Sequence, residues 1–220
     1  MTKATLELCS GFASFSHVAR SEFGYDTTTI DIDPYFAPTL CVDILNWNYR
    51  TFEPGHFDVI WASPPCTQYS NSKRSGVRNL ELADSIVMKC KEIIQYYKPR
   101  LWFIENPFTG LLKHRPLLTG LPSYRVDYCA YDRQLGMKKS TMLWTNHPTF
   151  VPRTCAGRGA CPSMEGRRHR CTCTGSYWDP KWKSVLGRSR ELARVPYNLI
   201  RELLSWKLHP PCEVPPTNVL

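Results

Sequence analysis

Two short motifs contain the side chains with the strongest chemical potential in this chain. Cys66 lies in a Pro-Pro-Cys turn that directly follows the apolar run 57–62. Glu105 follows a second apolar run, 101–104. Cysteine is the most nucleophilic side chain at neutral pH, and a carboxyl group beside it can exchange a proton with a substrate. A thiol and a carboxyl group that each follow a predicted strand indicate covalent catalysis on an electron-poor ring.

The two apolar runs belong to an alternation of strands and helices in the first half of the chain. That alternation predicts an α/β fold with a mostly parallel sheet and helices on both faces. Ligands of such sheets bind at the carboxyl ends of the strands, where both motifs lie. The predicted strands are residues 5–9, 27–30, 40–44, 57–62, 101–104, 124–129 and 141–145. One predicted helix ends near residue 23, and two others cover 80–97 and 196–208.

The sequence changes character near residue 150. Residues 150–178 are rich in Cys, Arg and Gly and have no clear hydrophobic period, which predicts a small irregular insert. We therefore divide the chain into a catalytic and cofactor-binding domain over 1–149, the insert, and a return to the catalytic domain over 179–208. The proline-rich tail, 209–220, is expected to be disordered.

Composition and charge favour a soluble protein with a polyanionic partner. The chain has 220 residues and a net charge of +9. It contains no apolar stretch of about 18 residues, so we expect no membrane span. The first five residues lack the apolar core of a secretion signal. The ten cysteines are therefore expected to be mostly reduced thiols of an intracellular protein.

Three positions in the first half have the features of a nucleoside-binding site. Gly11, in the turn after the first predicted strand, allows a ligand to approach the backbone closely. Asp31 and Asp43 end the next two predicted strands, where carboxylates can accept hydrogen bonds from a ribose diol and an exocyclic amine. Each position has a structural alternative: a plain tight turn for Gly11, a helix cap or turn for Asp31, and a strand-end turn for Asp43.

The ordered set of motifs resembles the cytosine-5 DNA methyltransferase family, whose members use S-adenosyl-L-methionine. The resemblance covers residues 6–204: Pro65-Cys66 matches the nucleophile motif, and Glu105-Asn106-Pro107 matches the Glu-Asn-Val motif. Residues 192–196 are similar to the C-terminal motif that folds back onto the cofactor. The resemblance implies a Rossmann-like S-adenosylmethionine-dependent methyltransferase fold with a mostly parallel seven-stranded sheet. It also implies double-stranded DNA as the partner, and we expect a monomer in the cytoplasm, or in the nucleus of a host cell if the chain is viral.

The resemblance gives each motif a chemical role. The Cys66 thiolate adds to carbon 6 of a cytosine that has been flipped out of the duplex, and carbon 5 then attacks the methyl group. Glu105 donates to N3 or hydrogen-bonds it, which stabilises the developing charge. Asn106 holds the loop, Pro65 stiffens the nucleophile turn, and the base that removes the carbon 5 proton is not identified. The implied cofactor-binding residues are Glu7, Cys9, Gly11, Phe12, Asp31, Ile32, Asp43, Ile44, Pro64 and Val195.

The chain departs from the family pattern at several positions. Ala13 and Ser14 stand where the family has glycines in the cofactor turn, and Cys9 replaces an aromatic residue. These changes predict a looser turn or weaker cofactor binding. The Gln-x-Arg-x-Arg motif is replaced by residues 138–141, in which Lys139 is expected to contact a DNA phosphate or cytosine O2 as a point charge.

The insert contains two sets of residues with potential functions. One set offers sulfur and nitrogen ligands for zinc, which prefers four of them; the alternative is a mobile loop with free thiols, because no Cys-x2-Cys pair is present. The candidate ligands are Cys155, Cys161, His169, Cys171 and Cys173. The other set is expected to contact DNA phosphates and consists of Arg153, Arg158, Arg167, Arg168 and Arg170. The short insert predicts a short or relaxed target sequence.

Three other functions stay open from the sequence. Ser63-Pro64-Pro65 also begins the motif of amino methyltransferases, although Cys66 then takes the place of an aromatic residue. An RNA cytosine methyltransferase would apply the same chemistry to a different nucleic acid. A non-catalytic protein that retains DNA or cofactor binding is the third alternative, because the cofactor turn is altered and the arginine motif is missing.

Overall fold

The chain folds around a seven-stranded β-sheet, as seen in a computed structural model that describes residues 3–73, 75–132, 136–172 and 193–206. The strands of this sheet are β1 (Ala4–Leu8), β2 (Asp26–Asp31), β3 (Leu40–Cys41), β4 (Val59–Ala62), β5 (Leu101–Pro107), β6 (Ser123–Asp127) and β8 (Ser140–Thr145). The α-helices are α1 (Ser14–Phe23), α2 (Leu80–Tyr97) and α3 (Tyr197–Leu204). Two-residue strands outside the large sheet are β7 (Met137–Lys138), β9 (Met164–Glu165), β10 (Arg168–His169) and β11 (Cys171–Thr172).

The order of the strands is β3-β2-β1-β4-β5-β8-β6. Neighbours from β3 through β5 are parallel, whereas β8 runs antiparallel to both β5 and β6. From β1 the chain moves outward to β2 and β3 and then returns to β4 on the other side, which is where open α/β sheets bind ligands. The prediction of a mostly parallel seven-stranded sheet is confirmed, and the cofactor and nucleophile motifs follow strands at the same edge.

Alternate residues of the central strands pack against different helix layers. Val59 and Trp61 of β4 belong to the core cluster that includes residues of α1 and α3, whereas Ile60 and Ala62 belong to the cluster that includes α2. Every residue of β4 is buried, as expected for a parallel strand that is covered on both faces. The continuous apolar run therefore specifies β4 as a strand buried on both faces. The chain becomes accessible again only beyond the carboxyl end of β4.

Element boundaries agree with the prediction where the sequence has clear start and stop signals. The side chain of Asn79 caps the first turn of α2, and Lys98 adopts the left-handed conformation (φ 49°) directly after the helix. The predicted strand 40–44 is shorter than expected, because the Asp43 carboxylate accepts a hydrogen bond from Leu45 N at 3.0 Å and turns the chain. The last helix also ends earlier than predicted, at residue 204.

The described part of the insert is built from short strands and has no separate hydrophobic core. β9 and β10 pair in antiparallel fashion, and β11 pairs in parallel with β7. Residues 173–192 lie outside the described part of the chain, as does the predicted tail, 209–220. Within the described ranges, no helix is long and apolar enough to cross a membrane.

Candidate active site

The nucleophile turn and the Glu-Asn motif lie next to each other because β4 and β5 are parallel neighbours. The two strands are in register, so Cys66 and Glu105 follow at the same edge of the sheet. Asn106 Nδ2 donates a hydrogen bond to the Pro64 carbonyl oxygen at 2.9 Å, and the Asn106 side chain is buried. Cys66 is half-buried, and Pro65 is exposed. The bond from Asn106 joins the two motifs directly, which is the geometry expected of a residue that holds the loop.

A second set of contacts anchors the residues just after Cys66. Tyr69 N donates to the Cys66 carbonyl oxygen at 3.0 Å, and the buried Tyr69 hydroxyl donates to Asp84 Oδ1 of α2 at 2.7 Å. Asp84 in turn forms an ion pair with Arg115, in the segment after β5. The nucleophile turn is therefore fastened to α2 on one side and to the Glu-Asn motif on the other.

The Glu105 carboxylate is buried between two donors. Its Oε1 atom accepts a hydrogen bond from the Tyr128 hydroxyl at 3.0 Å and lies 3.5 Å from Lys139 Nζ. The ammonium group of Lys139 also lies 4.6 Å from the centre of the Tyr128 ring. Because buried polar groups are costly unless they have partners, these contacts with Tyr128 and Lys139 make the burial of the Glu105 carboxyl group tolerable.

Tyr128 is a site residue that the sequence did not reveal. Burial, the Glu105 carboxylate and the Cys66 sulfur together raise the pKa of Tyr128 well above its usual value, so its hydroxyl stays protonated and acts as a donor. β6 runs parallel to β5, because both are antiparallel to β8, and its carboxyl end reaches the same edge of the sheet. The sequence of β6 does not show where this strand lies in the sheet, so it could not indicate that Tyr128 reaches the site.

Lys139 lies at the same edge for a related reason. It directly precedes β8, whose amino end meets the carboxyl ends of the parallel strands. The side chain is buried against Glu105 and Tyr128. That burial argues against the predicted contact with a DNA phosphate, which would need an exposed ammonium group. The position beside Glu105 suits a contact with the edge of a base instead.

The turn after β1 is closed by the carboxylate that ends β2. Gly11 N donates to Asp31 Oδ2 at 2.8 Å, and Asp33 N donates to Asp31 Oδ1 at 2.9 Å. Gly11 (φ 48°) and Ala13 (φ 51°) both adopt the left-handed conformation. A glycine is the residue that this conformation favours, so the alanine that replaces a family glycine carries strain. Despite that substitution, Ala13 N bonds Ser10 O at 2.8 Å.

Two predicted cofactor ligands instead position the turn. Glu7 is 2% exposed, and its carboxylate accepts hydrogen bonds from Ser16 N (2.8 Å) and Phe15 N (3.3 Å) at the start of α1. Burial raises the pKa of Glu7 to about 7. The thiol of Cys9 is hydrogen-bonded to Cys90 of α2. This bond and burial together raise the pKa of the Cys9 thiol well above its usual value. Both side chains have partners within the protein, and their contact with the cofactor stays a prediction.

The residues after β2 and β3 differ in accessibility. Ile32 is 66% exposed beside the half-buried Asp31, and this exposed apolar surface next to a carboxylate suits an adenosine. Asp43 is half-buried and accepts hydrogen bonds from Leu45 N and Asn46 Nδ2, so it forms the strand-end turn that was its structural alternative. Ile44 is buried in the core cluster around α2, and its contact with the ligand stays a prediction.

A cavity of about 320 Å³ lies between the start of α1 and the segment that leads into α3. Phe12, Val195 and Tyr128 contribute to its wall. Val195 N donates to Ser14 Oγ at 3.3 Å, and the guanidinium of Arg194 lies 4.0 Å from the centre of the Phe12 ring. The C-terminal motif thus contacts the start of α1 and the cofactor turn, and its contact with the cofactor itself stays a prediction. The cavity links that turn with the tyrosine that contacts Glu105.

The five predicted DNA-contacting arginines fall into two groups. Arg158, Arg167 and Arg168 are exposed. Arg153 instead forms an ion pair with Glu202 of α3. Arg170 Nε lies 3.0 Å from the Glu165 carboxylate in the neighbouring strand. The paired arginines hold the insert together and onto the catalytic domain, which leaves the exposed group as the better candidates for phosphate contacts.

The predicted metal ligands are only partly brought together. The cluster observed in the structure consists of Cys129, Cys155, Cys161 and His169, whose ligand atoms all lie within 4.8 Å of one another. Cys171 is fully buried in the core cluster of α1 and α3 and is not among the four residues of this cluster. Cys173 lies outside the described residues. Cys129 was missed because it is far from the other ligands in sequence and reads as an isolated structural thiol.

The architecture places this chain in the class of Rossmann-like methyltransferases. The structure is similar to that of the Entamoeba histolytica methyltransferase EhMeth, with a TM-score of 0.51 and 16% sequence identity. The similarity covers 70% of this chain and 57% of that chain.

Two sequence comparisons define the family more narrowly. The model of the C-5 cytosine-specific DNA methylase family matches residues 4–119, which include the nucleophile turn and the Glu-Asn motif. A relative from Frog virus 3 (isolate Goorha), named "Probable DNA (cytosine-5)-methyltransferase", is 36% identical over 218 residues, which cover 90% of this chain and 97% of the relative. The chain belongs to the C-5 cytosine-specific DNA methylase family.

Proposed function

We propose that this protein transfers the methyl group of S-adenosylmethionine to carbon 5 of cytosine in double-stranded DNA through a transient bond to Cys66. The observation that carries the proposal is the Asn106–Pro64 hydrogen bond, which joins the nucleophile turn to the buried Glu105. An accessible thiol and a positioned carboxyl group at one sheet edge are what addition to a pyrimidine ring requires. The family membership supports the same chemistry.

The described residues suit each step of this reaction. The Cys66 thiolate donates its electron pair to carbon 6, while the Glu105 carboxyl group donates a proton or hydrogen bond to N3, where the displaced ring electrons collect. Carbon 5 would then take the methyl group as the bond between that methyl group and the sulfonium sulfur breaks, and the later loss of the carbon 5 proton would expel the thiolate and restore the ring. Tyr128 and Lys139 fix the Glu105 carboxyl group during these steps. We assign no residue as the base for the carbon 5 proton.

The crevice beyond β1 and β2 fits S-adenosylmethionine, which supplies an activated methyl group when bound. The Asp31 carboxylate is oriented by two backbone amides and suits a ribose diol. The exposed Ile32 side chain offers an apolar surface for the adenine ring. Phe12 and Val195 line the cavity at the other end of the turn, towards Tyr128.

The exposed arginines of the insert are proposed to bind DNA phosphates next to this crevice. Arg158, Arg167 and Arg168 provide positive charge on an already basic chain. The target cytosine must leave the base stack to reach Cys66, since its ring edge is enclosed in a duplex. We propose that one chain acts alone, in the cellular compartment that holds the DNA.

Product analysis tests this proposal directly. The purified protein is incubated with duplex DNA and isotopically labelled S-adenosylmethionine, and the DNA is then digested to nucleosides. We expect the label in 5-methylcytosine, a complete loss with Cys66→Ser, and no change with Cys212→Ser. Label on an exocyclic nitrogen, or faster methylation of tRNA than of duplex DNA, would contradict the proposal.

A further inference from the structure

We propose that Cys129, Cys155, Cys161 and His169 form a structural zinc site that fastens the insert to the catalytic sheet. The four ligand atoms lie within 4.8 Å of one another although they come from separate parts of the chain. Cys129 lies in the turn after β6, and His169 belongs to β10. Three sulfur atoms and one imidazole nitrogen are a ligand set that zinc prefers.

The observed distances agree with a tetrahedral ion. The Cys155 Sγ and Cys161 Sγ atoms lie 3.4 Å and 3.6 Å from His169 Nε2. Zinc–sulfur and zinc–nitrogen bonds of about 2.3 Å and 2.1 Å at the tetrahedral angle place the sulfur and nitrogen atoms about 3.6 Å apart. The two observed sulfur–nitrogen separations therefore match those expected around a tetrahedral zinc ion.

The environment of the cluster favours a metal over a disulfide. All three cysteines are free thiols. Cys129, Cys161 and His169 are buried, with exposed fractions of 1%, 7% and 9%. Gly157 N donates to Cys155 Sγ at 3.4 Å, a contact that stabilises a sulfur atom bearing negative charge. Four protein ligands close the coordination sphere, which is typical of structural rather than catalytic zinc.

The position of the cluster indicates that the metal would hold the insert in place. The strands of the insert have only two residues each, so they cannot bury enough apolar surface to hold it in place. Cys155 N donates to Asp127 Oδ2 at 2.9 Å, and Ser163 Oγ donates to the Cys129 carbonyl oxygen at 3.2 Å. Zinc would add to these bonds and fix β10, which carries the exposed Arg168 beside His169. This last consequence rests on the proposed DNA-binding function; the site itself does not.

Metal analysis of the full chain tests the site without any activity measurement. Protein is produced with added zinc, desalted and analysed by mass spectrometry for metals. We expect about one zinc ion per chain, as for a closed four-ligand site, and a loss of zinc with Cys129→Ser and Cys161→Ser. Cys41→Ser, at the opposite side of the sheet, and Cys173→Ser should keep the metal. Zinc loss with Cys173→Ser but not with Cys129→Ser would overturn the assignment.

Cobalt substitution keeps the test decisive if the serine variants fail to fold. The wild-type protein loaded with cobalt should show the visible ligand-field bands of a tetrahedral site and a thiolate charge-transfer band. His169→Cys should retain the metal and strengthen the charge-transfer band, because a fourth thiolate replaces the imidazole. A zinc-free wild-type protein that also gives no tetrahedral cobalt spectrum would refute the site, whatever its methyl transfer activity.

Discussion

At the scale of single residues, the site depends on how Glu105 is held. The carboxylate has a neutral donor in the Tyr128 hydroxyl and a charged neighbour in Lys139, and all three side chains are buried. The ammonium group offsets the charge of the carboxylate, whereas the hydroxyl fixes its orientation. Tyr128 is therefore a positioning residue, which acts on the substrate only through Glu105.

Tyr128→Phe removes that orientation while it keeps the aromatic ring. A hydrogen bond to a charged acceptor is worth about 1.5–3 kcal/mol, so kcat should fall about tenfold to a hundredfold. The KM for DNA should change little, because Tyr128 is not proposed to contact the DNA. Steady-state methylation assays measure both constants.

Tyr96→Phe is the matched control for this variant. The Tyr96 hydroxyl donates to Phe52 O at 3.2 Å, away from the site, and its loss should leave kcat unchanged. An unchanged kcat in Tyr128→Phe, or a fall that is matched by the control, would show that the hydroxyl does not position Glu105.

At the scale of elements, α1 begins on a buried acid. The Glu7 carboxylate accepts hydrogen bonds from the first free amides of α1, as an anion at a helix amino end does. Burial nevertheless outweighs these bonds and raises its pKa from 4.5 to about 7. The folded state therefore holds the proton more tightly than the unfolded state, and the stability from Glu7 is fully present below pH 4.5 and lost as the pH rises through about 7.

Glu7→Gln should remove this dependence on pH. Between about pH 5 and pH 8, the unfolding free energy of the wild type should fall relative to that of the variant by up to about 3 kcal/mol. Urea unfolding at several pH values measures the difference. Glu53→Gln, which removes an exposed charge, is the control, and a parallel pH response in Glu7→Gln and the wild type would contradict the account.

At the scale of the whole molecule, the exposed arginines of the insert are proposed to bind DNA phosphates beside the active-site edge of the sheet. Each lysine or arginine that neutralises a phosphate contributes about 0.9 to the dependence of log K on log salt. Replacing Arg167 and Arg168 together by alanine should therefore weaken DNA binding and reduce this slope by about 2. Fluorescence anisotropy of a labelled duplex over a range of salt concentrations gives the slope.

The control is Arg100→Ala, because Arg100 is exposed just before β5, at the edge of the sheet opposite the site. Its slope should equal that of the wild type. If the double variant also keeps the wild-type slope, Arg167 and Arg168 do not contact phosphates.

The sequence specifies part of this arrangement well. Cys66 lies beyond the fully buried β4, and Glu105 lies near the end of β5, so hydrophobic pattern alone placed both at the carboxyl edge of a parallel sheet. Tyr128 and Cys129 could not be placed in this way, because their positions depend on β8 inserting antiparallel between β5 and β6. The burial of Glu7 and Ile44 could not be predicted either, because strand ends predict proximity to the crevice but not the direction of a side chain.

Covalent trapping tests the central claim most directly. A duplex with 5-fluorocytosine at the target position cannot release the enzyme, because the step that removes the carbon 5 proton is blocked. With S-adenosylmethionine present, we predict a protein–DNA adduct whose digestion yields the DNA attached to the peptide that contains Cys66. An adduct at any other residue, or methylation of normal cytosine without any adduct at the fluorinated base, would contradict a reaction that passes through this sulfur atom.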